Sequence, residues 1–489
     1  MVLLLMLTPA GAAQALEPGE GTITFVDGTE TEAEILFEHP NVPRLVVRSL
    51  SGAIAQSLPL EEIQQVTVAG ETTSYNASRE LTEAEQTRRE RNGIWGDAAS
   101  QKRIGRYAEE TWEDRPLIVW REPGVSGDLM LAENWLDETG EPLSEPPFVA
   151  LPEAEQTHGD LGVEGIFDGD VLLPASEQLY EVIQPGVHDP PEIGAYEIRH
   201  LTLEAGSIYS HRLIVRGNVW LKDGSEWVAE VTAVLGSGDA NKHTFARFCN
   251  YYDRPEPHWA YARTIAHLLF LDPGPSGSLE VIGYCGGAND RFTLMRGTLV
   301  ISENSHLGNG LRAACYADEG TTITLLDGAR IGCEKPIKGG SGGRPVATYA
   351  IAGTLSFGTP EHPLTRDLPF GAAYILRDEI AAADANPSAR AHGASFVFGS
   401  TSRVVVHSAD PTTARVIFQA RSRDLPVSQY TVDGAYRQYI DRRGDIYYPP
   451  DPELWEQPGV PTGVAAVFKG ETDFNGVVFD DFYEGGIMV

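Results

Sequence analysis

Residues 297–310, GTLVISENSHLGNG, and residues 321–333, TTITLLDGARIGC, follow one template: a short alternating stretch, an acidic residue, Gly or Asn, Ser or Ala, and a second short stretch. Period-two alternation places Leu299 and Ile301, or Ile323 and Leu325, on one face of a strand and their neighbours on the other. The template recurs in HLTLEAGSIYS (200–210) and NVWLKDGSEWV (218–228), so that Ser207, Ser225, Ser305 and Ala329 share a column. Ser225 follows Ser207 by 18 residues and Ala329 follows Ser305 by 24. Strand, turn and strand repeating at periods near twenty predict stacked copies, a solenoid.

The columns have a physical reading. Gly206, Gly224, Asn304 and Gly328 stand where a tight corner needs positive φ, which Gly and Asn tolerate. The acidic column of Asp223, Glu303 and Asp327 then belongs to an exposed turn. Taken alone, those three carboxylates would suggest acid–base catalysis or Ca²⁺, the one ion this column could hold; no other cofactor is expected. Later segments, YAIAGTLSFGTP, ASFVFGSTSRVVVHS and ARVIFQA, continue the pattern less regularly.

DGDVLLP (168–174), LIVRGNVWLKDGS and GTLSFGTPEHPLT resemble the G8 type of β-helix, and more loosely the pectate-lyase-like type. The resemblance covers residues 165–420 and implies an all-β protein built on a right-handed parallel β-helix. It also implies an association with polysaccharides. The β-helix is expected over 186–489, including a proline-rich arm, YYPPDPELWEQPGVP, and closing strands, FNGVVFDDFYEGGIMV.

Upstream, GTITFVDGTETEAEILF alternates around Asp27-Gly28, a two-residue hairpin signal, and PRLVVRS and SLPLEEIQQVTVAG supply further strands. Residues 20–70 resemble the small SH3-like barrels of the SLA1 homology type, which implies a binding or docking module, at the cell surface for an exported chain; the alternative is simple structural padding. LTEAEQTRRERNG, with Thr82 and Glu85 in capping-box register, predicts a charged linker helix over 71–94. Residues 95–185 read as an irregular, proline-rich cap or lead-in. At the front, an apolar run from Val2 to Leu7 and the small-x-small site Ala13-Gln14-Ala15 read as a signal peptide over 1–15, hence a secreted or cell-envelope protein. No stretch approaches the ~18 apolar residues of a membrane-spanning helix, so membrane insertion is not expected.

In all, 489 residues carry 37 Lys and Arg against 70 Asp and Glu, a formal charge of −33. That field repels phosphate backbones and argues against nucleic acid as a partner. Cys249, Cys285, Cys315 and Cys333 form no CxxC or Cys/His cluster, which leaves them as disulfide partners or small buried hydrophobes.

If the repeats are scaffold, chemistry belongs where they are interrupted. The largest interruption, 236–272, gathers cations and aromatics in an acidic chain: Lys242, His243, Arg247, Tyr251, Tyr252, His258 and Trp259. Such a set suits an acidic polysaccharide, with apolar sugar faces on rings and carboxylates or sulfates on cations. For a lyase, Lys242, His243 or Tyr251 would be the base and Arg247 or Arg291 would neutralise the developing charge; Tyr252, His258, Trp259 and Arg291 would bind substrate. For a glycoside hydrolase, Asp239, Asp253, Asp272 and Asp290 are the available carboxylates. The third reading is a non-catalytic surface or matrix protein in which the same loop only packs.

Overall fold

The computed structural model describes residues 16, 18–49, 55–83, 85–86, 116–150, 157–158, 161–176, 178, 180–184, 195–204, 206–221, 225–236, 245–250, 263–287, 291–309, 314–333, 346–371, 393–419, 439–440, 446–447, 466–468, 470–480 and 487–488. Over these residues the protein is all-β. Its regular structure is strand, apart from the short 3-10 turns Leu60–Glu62 and Ala132–Asn134 and a helical turn after Thr82.

Two parallel ladders hold 22 of the 38 strands among the described residues. The first runs through Leu117–Trp120, Leu161–Leu173, Ala195–Leu203, Val219–Leu221, Phe245–Asn250, Ser278–Gly287, Thr298–Ile301, Thr322–Leu325, Thr354–Phe357, Arg403–Val406 and Glu471–Thr472. The second runs through Gly127–Asp128, Glu181–Ile183, Ser207–Val215, Glu226–Gly236, Arg263–Asp272, Arg291–Leu294, Ala314–Ala317, Val346–Ile351, Gly393–Phe398, Ala466–Phe468 and Ile487–Met488. Within each ladder a strand pairs in parallel with the next, and the second strands of the opening copies, His306–Asn309 and Arg330–Cys333, form a further parallel ladder with residues Tyr284–Gly287. Parallel pairing begins at Leu117–Trp120, inside the stretch that composition marks as irregular, and not at residue 186. Short strands interleaved with Pro and Gly hide their period, and only tertiary pairing reveals them.

The two copies that open the sequence lie directly on one another. Thr298 pairs with Thr322 and Ile301 with Leu325, and after the turn His306 pairs with Arg330 and Asn309 with Cys333. Leu299, Ile301, Ile323 and Leu325 are fully buried in one continuous apolar cluster, as the alternation requires. Burial of each such side chain is worth roughly 1.5–3 kcal/mol, so stacked copies stabilise one another where a single copy could not. Ser207, Ser225, Ser305 and Ala329 are all buried small residues. The Ser225 hydroxyl donates to the Leu203 carbonyl, and Ser305 Oγ accepts from the Gly283 N–H, both reaching strands of a neighbouring copy. Towards the C-terminus, register partners become aromatic: Phe398 stacks on Phe468 with centroids 4.7 Å apart, and Tyr349 on Phe396 at 5.2 Å.

The N-terminal residues form a separate six-stranded antiparallel sheet, in the order Ala55–Pro59, Arg44–Ser49, Glu30–Glu38, Gly19–Phe25, Ile63–Val68 and Glu71–Ser74. Gly28 closes the first hairpin at φ 82°, and Asp27 Oδ1 accepts from the Thr29 N–H. The last strand, Glu71–Ser74, lies beyond the residue-70 limit that the sequence suggests. Thr82 and Glu85 complete the capping box: Glu85 accepts from the Thr82 N–H at 2.8 Å, and Thr82 Oγ1 accepts from the Glu85 N–H at 3.2 Å.

The corner column is partly visible. Asn304 has φ 56° and Gly328 φ 69°, whereas Gly206 does not need the left-handed region and Gly224 lies outside the described residues. A Cβ on Gly328 would meet Asn304 Oδ1 at 2.6 Å as well as the Arg366 guanidinium. Gly328→Val is therefore expected to lower stability by roughly 1–3 kcal/mol through backbone strain, measured as a fall in the denaturant midpoint. Asp327→Ala, which removes only the bonds Asp327 accepts from the Thr365 backbone and hydroxyl, should cost no more than about 1.5 kcal/mol. Equal losses at both positions would contradict the corner assignment.

Candidate functional site

In its described parts, the interruption at 236–272 is not one long excursion. FARFCN and RTIAHLLFLD are strands, the first held between Val219–Leu221 and Ser278–Gly287, the second between Glu226–Gly236 and Arg291–Leu294. The first supplies Phe245 and Phe248, and the second Thr264, Ile265 and Phe270, aromatic and β-branched residues suited to a pleated ladder. Residues 237–244 and 251–262, which flank the first of these strands, lie outside the described residues. So do Lys242, His243, Tyr251, Tyr252, His258 and Trp259.

Arg247 is placed by its backbone, as register partner of Glu280 on the first ladder. Arg291 belongs to the second ladder, paired with Leu268 and Ala314. The two arginines that the lyase reading treats as interchangeable thus stand on different ladders.

Among the hydrolase carboxylates, Asp272 is fully buried, and Arg296 donates to it with both Nε and Nη2, at 2.8 and 2.5 Å. A carboxylate engaged in this way can hold a strand end in place, a structural role beside the hydrolytic one that the sequence suggests. Asp239, Asp253 and Asp290 lie outside the described residues. Elsewhere, Asp168 receives the guanidinium groups of Arg199 and Arg216, and Arg216 also reaches buried Glu197 at 2.7 Å. Asp367 takes both Nε and Nη2 of Arg415, whose hydrogen bonds hold its carboxyl below the usual aspartate range. In the acidic column, Glu303 is exposed and Asp327 is occupied by Thr365. No group of three or more His, Cys, Asp or Glu that could hold a metal occurs among the described residues.

The polar cluster that sequence reasoning missed joins the N-terminal sheet to the ladder. The Glu204 carboxylate, with no side-chain exposure, accepts from the Ser57 N–H at 3.0 Å, the Ser57 hydroxyl and the Ala175 N–H at 3.1 Å, with Arg44 Nη2 at 3.7 Å. Around it, Arg48 Nε lies 3.8 Å from Asp170, His39 Nε2 is 3.0 Å from the Trp120 carbonyl, and Asn41 Nδ2 donates to the Arg121 carbonyl at 2.8 Å. Burial depresses the basicity of the His39 ring, against the Trp120 carbonyl that favours its proton. In the template, Glu204 fills the place taken by Lys222, Ser302 and Leu326 in the other copies. Its partner Ser57 is 147 residues away, so neither column nor spacing signals the contact.

Two outcomes are expected. Asp272→Ala, which strands Arg296 beside a buried site, should cost about 3 kcal/mol in chemical denaturation while leaving any glycan activity per folded molecule unchanged. Cys315 is buried in the ladder core, and burial pushes its thiol well above the usual range. Peptide-level alkylation at pH 8 should therefore leave Cys315 unmodified in the native protein and modify it after unfolding; rapid native labelling would contradict its placement. No family model, curated protein or solved structure matches this chain.

Proposed function

We propose that the two ladders wind as a right-handed parallel β-helix and that the exported chain binds or cleaves an extracellular acidic polysaccharide along segments 237–244 and 251–262. The observation that carries this reading is the register of Phe245–Asn250 between Val219–Leu221 and Ser278–Gly287. It ties the inner ends of both segments to rigid backbone, and sites borne on rigid elements hold their groups more closely than sites on free loops. Residues 236–272 balance Lys242, Arg247, Arg254 and Arg263 against Asp239, Asp253, Glu256 and Asp272 in a chain of net charge −33, and this locally neutral, ring-rich stretch supports an anionic sugar ligand better than a uniformly acidic surface would.

In the eliminative version, Lys242, His243 or Tyr251 takes the proton from the carbon beside the uronate carboxylate. That electron pair becomes the new double bond, and the glycosidic oxygen leaves with its bonding pair and takes a proton from the now protonated base or from water. Arg247 or Arg291 stabilises the charge that builds on the carboxylate. Tyr252, His258 and Trp259 carry the sugar faces. The hydrolytic version draws on Asp239, Asp253 and Asp290. A second reading, a non-catalytic surface or matrix protein, is favoured by the ion pairing of Asp168, Asp272 and Asp367, which spends these carboxylates on structure.

The test is a panel of uronate-containing and sulfated glycans, followed by ultraviolet absorbance for unsaturated ends, by reducing ends and by affinity. Lys242→Ala, Arg247→Ala and Trp259→Ala should each lower turnover or affinity by tenfold or more, with stability within ~0.5 kcal/mol of the parent, as for substitutions away from packing. Absence of binding across the panel, or losses of affinity that track losses of stability in all three variants, would favour the matrix reading.

A further inference from the structure

The N-terminal sheet has two apolar faces. Ile23, Ala33, Ile35, Leu45, Val47 and Val66 form its own core. On the other face, Leu36, Phe37, Val46 and Ala55 pack with Leu117, Val119, Leu136 and Leu172 of the main body. Leu172 alternates with Val171 and Leu173, which lie in the ladder's interior, so the sheet covers the outer face of the first ladder strands. Alternation sets Asp170 and Glu204 on that same outer face, where both are buried.

We propose that the N-terminal sheet is a flank cap for the ladder, latched by the charge of Glu204, and that its covered face is not a docking surface for an external partner. Three features point there. A carboxylate removed from water is tolerated only when donors surround it, and here the donors come from both bodies: Ser57 and Arg44 from the sheet, Ala175 from the ladder. An apolar contact alone would permit sliding, whereas donors at fixed backbone positions allow one register, the attested use of buried polar groups. The apolar residues a free docking module would present on this face, Leu36, Phe37 and Val46, are already covered by the chain itself. The charged neighbours keep the latch closed: Arg44 faces Glu204, and Arg48 lies between Asp170 and Glu34.

Hydrogen–deuterium exchange on the full chain tests this, with Glu204→Gln as the variant because it keeps the shape and removes the charge. The expected result is exchange at least tenfold faster in peptides covering 55–59 and 170–176, with Ile23, Val66 and the strands beyond residue 298 unchanged. Exchange in the junction as slow as in the parent would overturn the latch. Should Glu204→Gln disturb the whole chain, Ser57→Ala, which removes only the hydroxyl donor, decides: faster exchange confined to the junction supports the proposal, and an unchanged junction overturns it.

Discussion

Parallel, in-register backbone pairing between successive copies of a short strand–turn–strand template is the constraint on which the rest of this structure depends. Because Thr298 sits on Thr322 and Thr322 on Thr354, an inward residue in one copy lands on an inward residue in the next, and leucine, isoleucine and finally phenylalanine columns form without further instruction. The same pairing satisfies the backbone polar groups that burial would otherwise strand. Corners follow from it too: Asn304 and Gly328 adopt positive φ because the chain must turn between two strands whose positions are already fixed from above and below.

Given that scaffold, the placement of charge becomes intelligible. Asp272 with Arg296, Asp168 with Arg199 and Arg216, and Asp367 with Arg415 tie positions 24, 31, 48 and 48 residues apart. They tie together positions distant in sequence: the Asp367–Arg415 pair is partly exposed and adds little Coulomb energy, whereas buried Asp272 depends on Arg296 to offset its loss of water. Glu204 differs because its donors come from two bodies. The acidic composition of the chain thus divides into structural carboxylates and solvated ones.

Much of the all-β character was legible in residues whose physics is local. Alternation in TLVI and TITL, the Asp27-Gly28 hairpin and the Thr82–Glu85 capping box are decided within a few residues, and each stands in the structure where its pattern placed it. What was not legible is non-local. Leu117–Trp120 is a four-residue strand defined by its partners, Asp170–Leu172 in parallel and Trp135–Leu136 in antiparallel, which its own sequence does not announce. Likewise, FARFCN looked like part of an interruption because its period is too short to stand out beside its aromatic and charged neighbours. Asp272 looked like a free carboxylate because nothing in the sequence ties it to Arg296. The site residues were chosen by composition alone, and of these Arg247 and Arg291 now have ladder positions.

The central claim is the in-register stacking of the two template copies, and engineered disulfides test it most directly. Neighbouring strands in a sheet lie about 4.8 Å apart, within the Cα separation a disulfide accepts, and Val300 is the register partner of Thr324. Val300→Cys with Thr324→Cys should therefore cross-link under mild oxidation. Val300→Cys with Ile323→Cys should not, because Ile323 points into the core. Peptide mapping that finds the second pair linked as readily as the first, or neither linked while the protein is folded, would contradict the account.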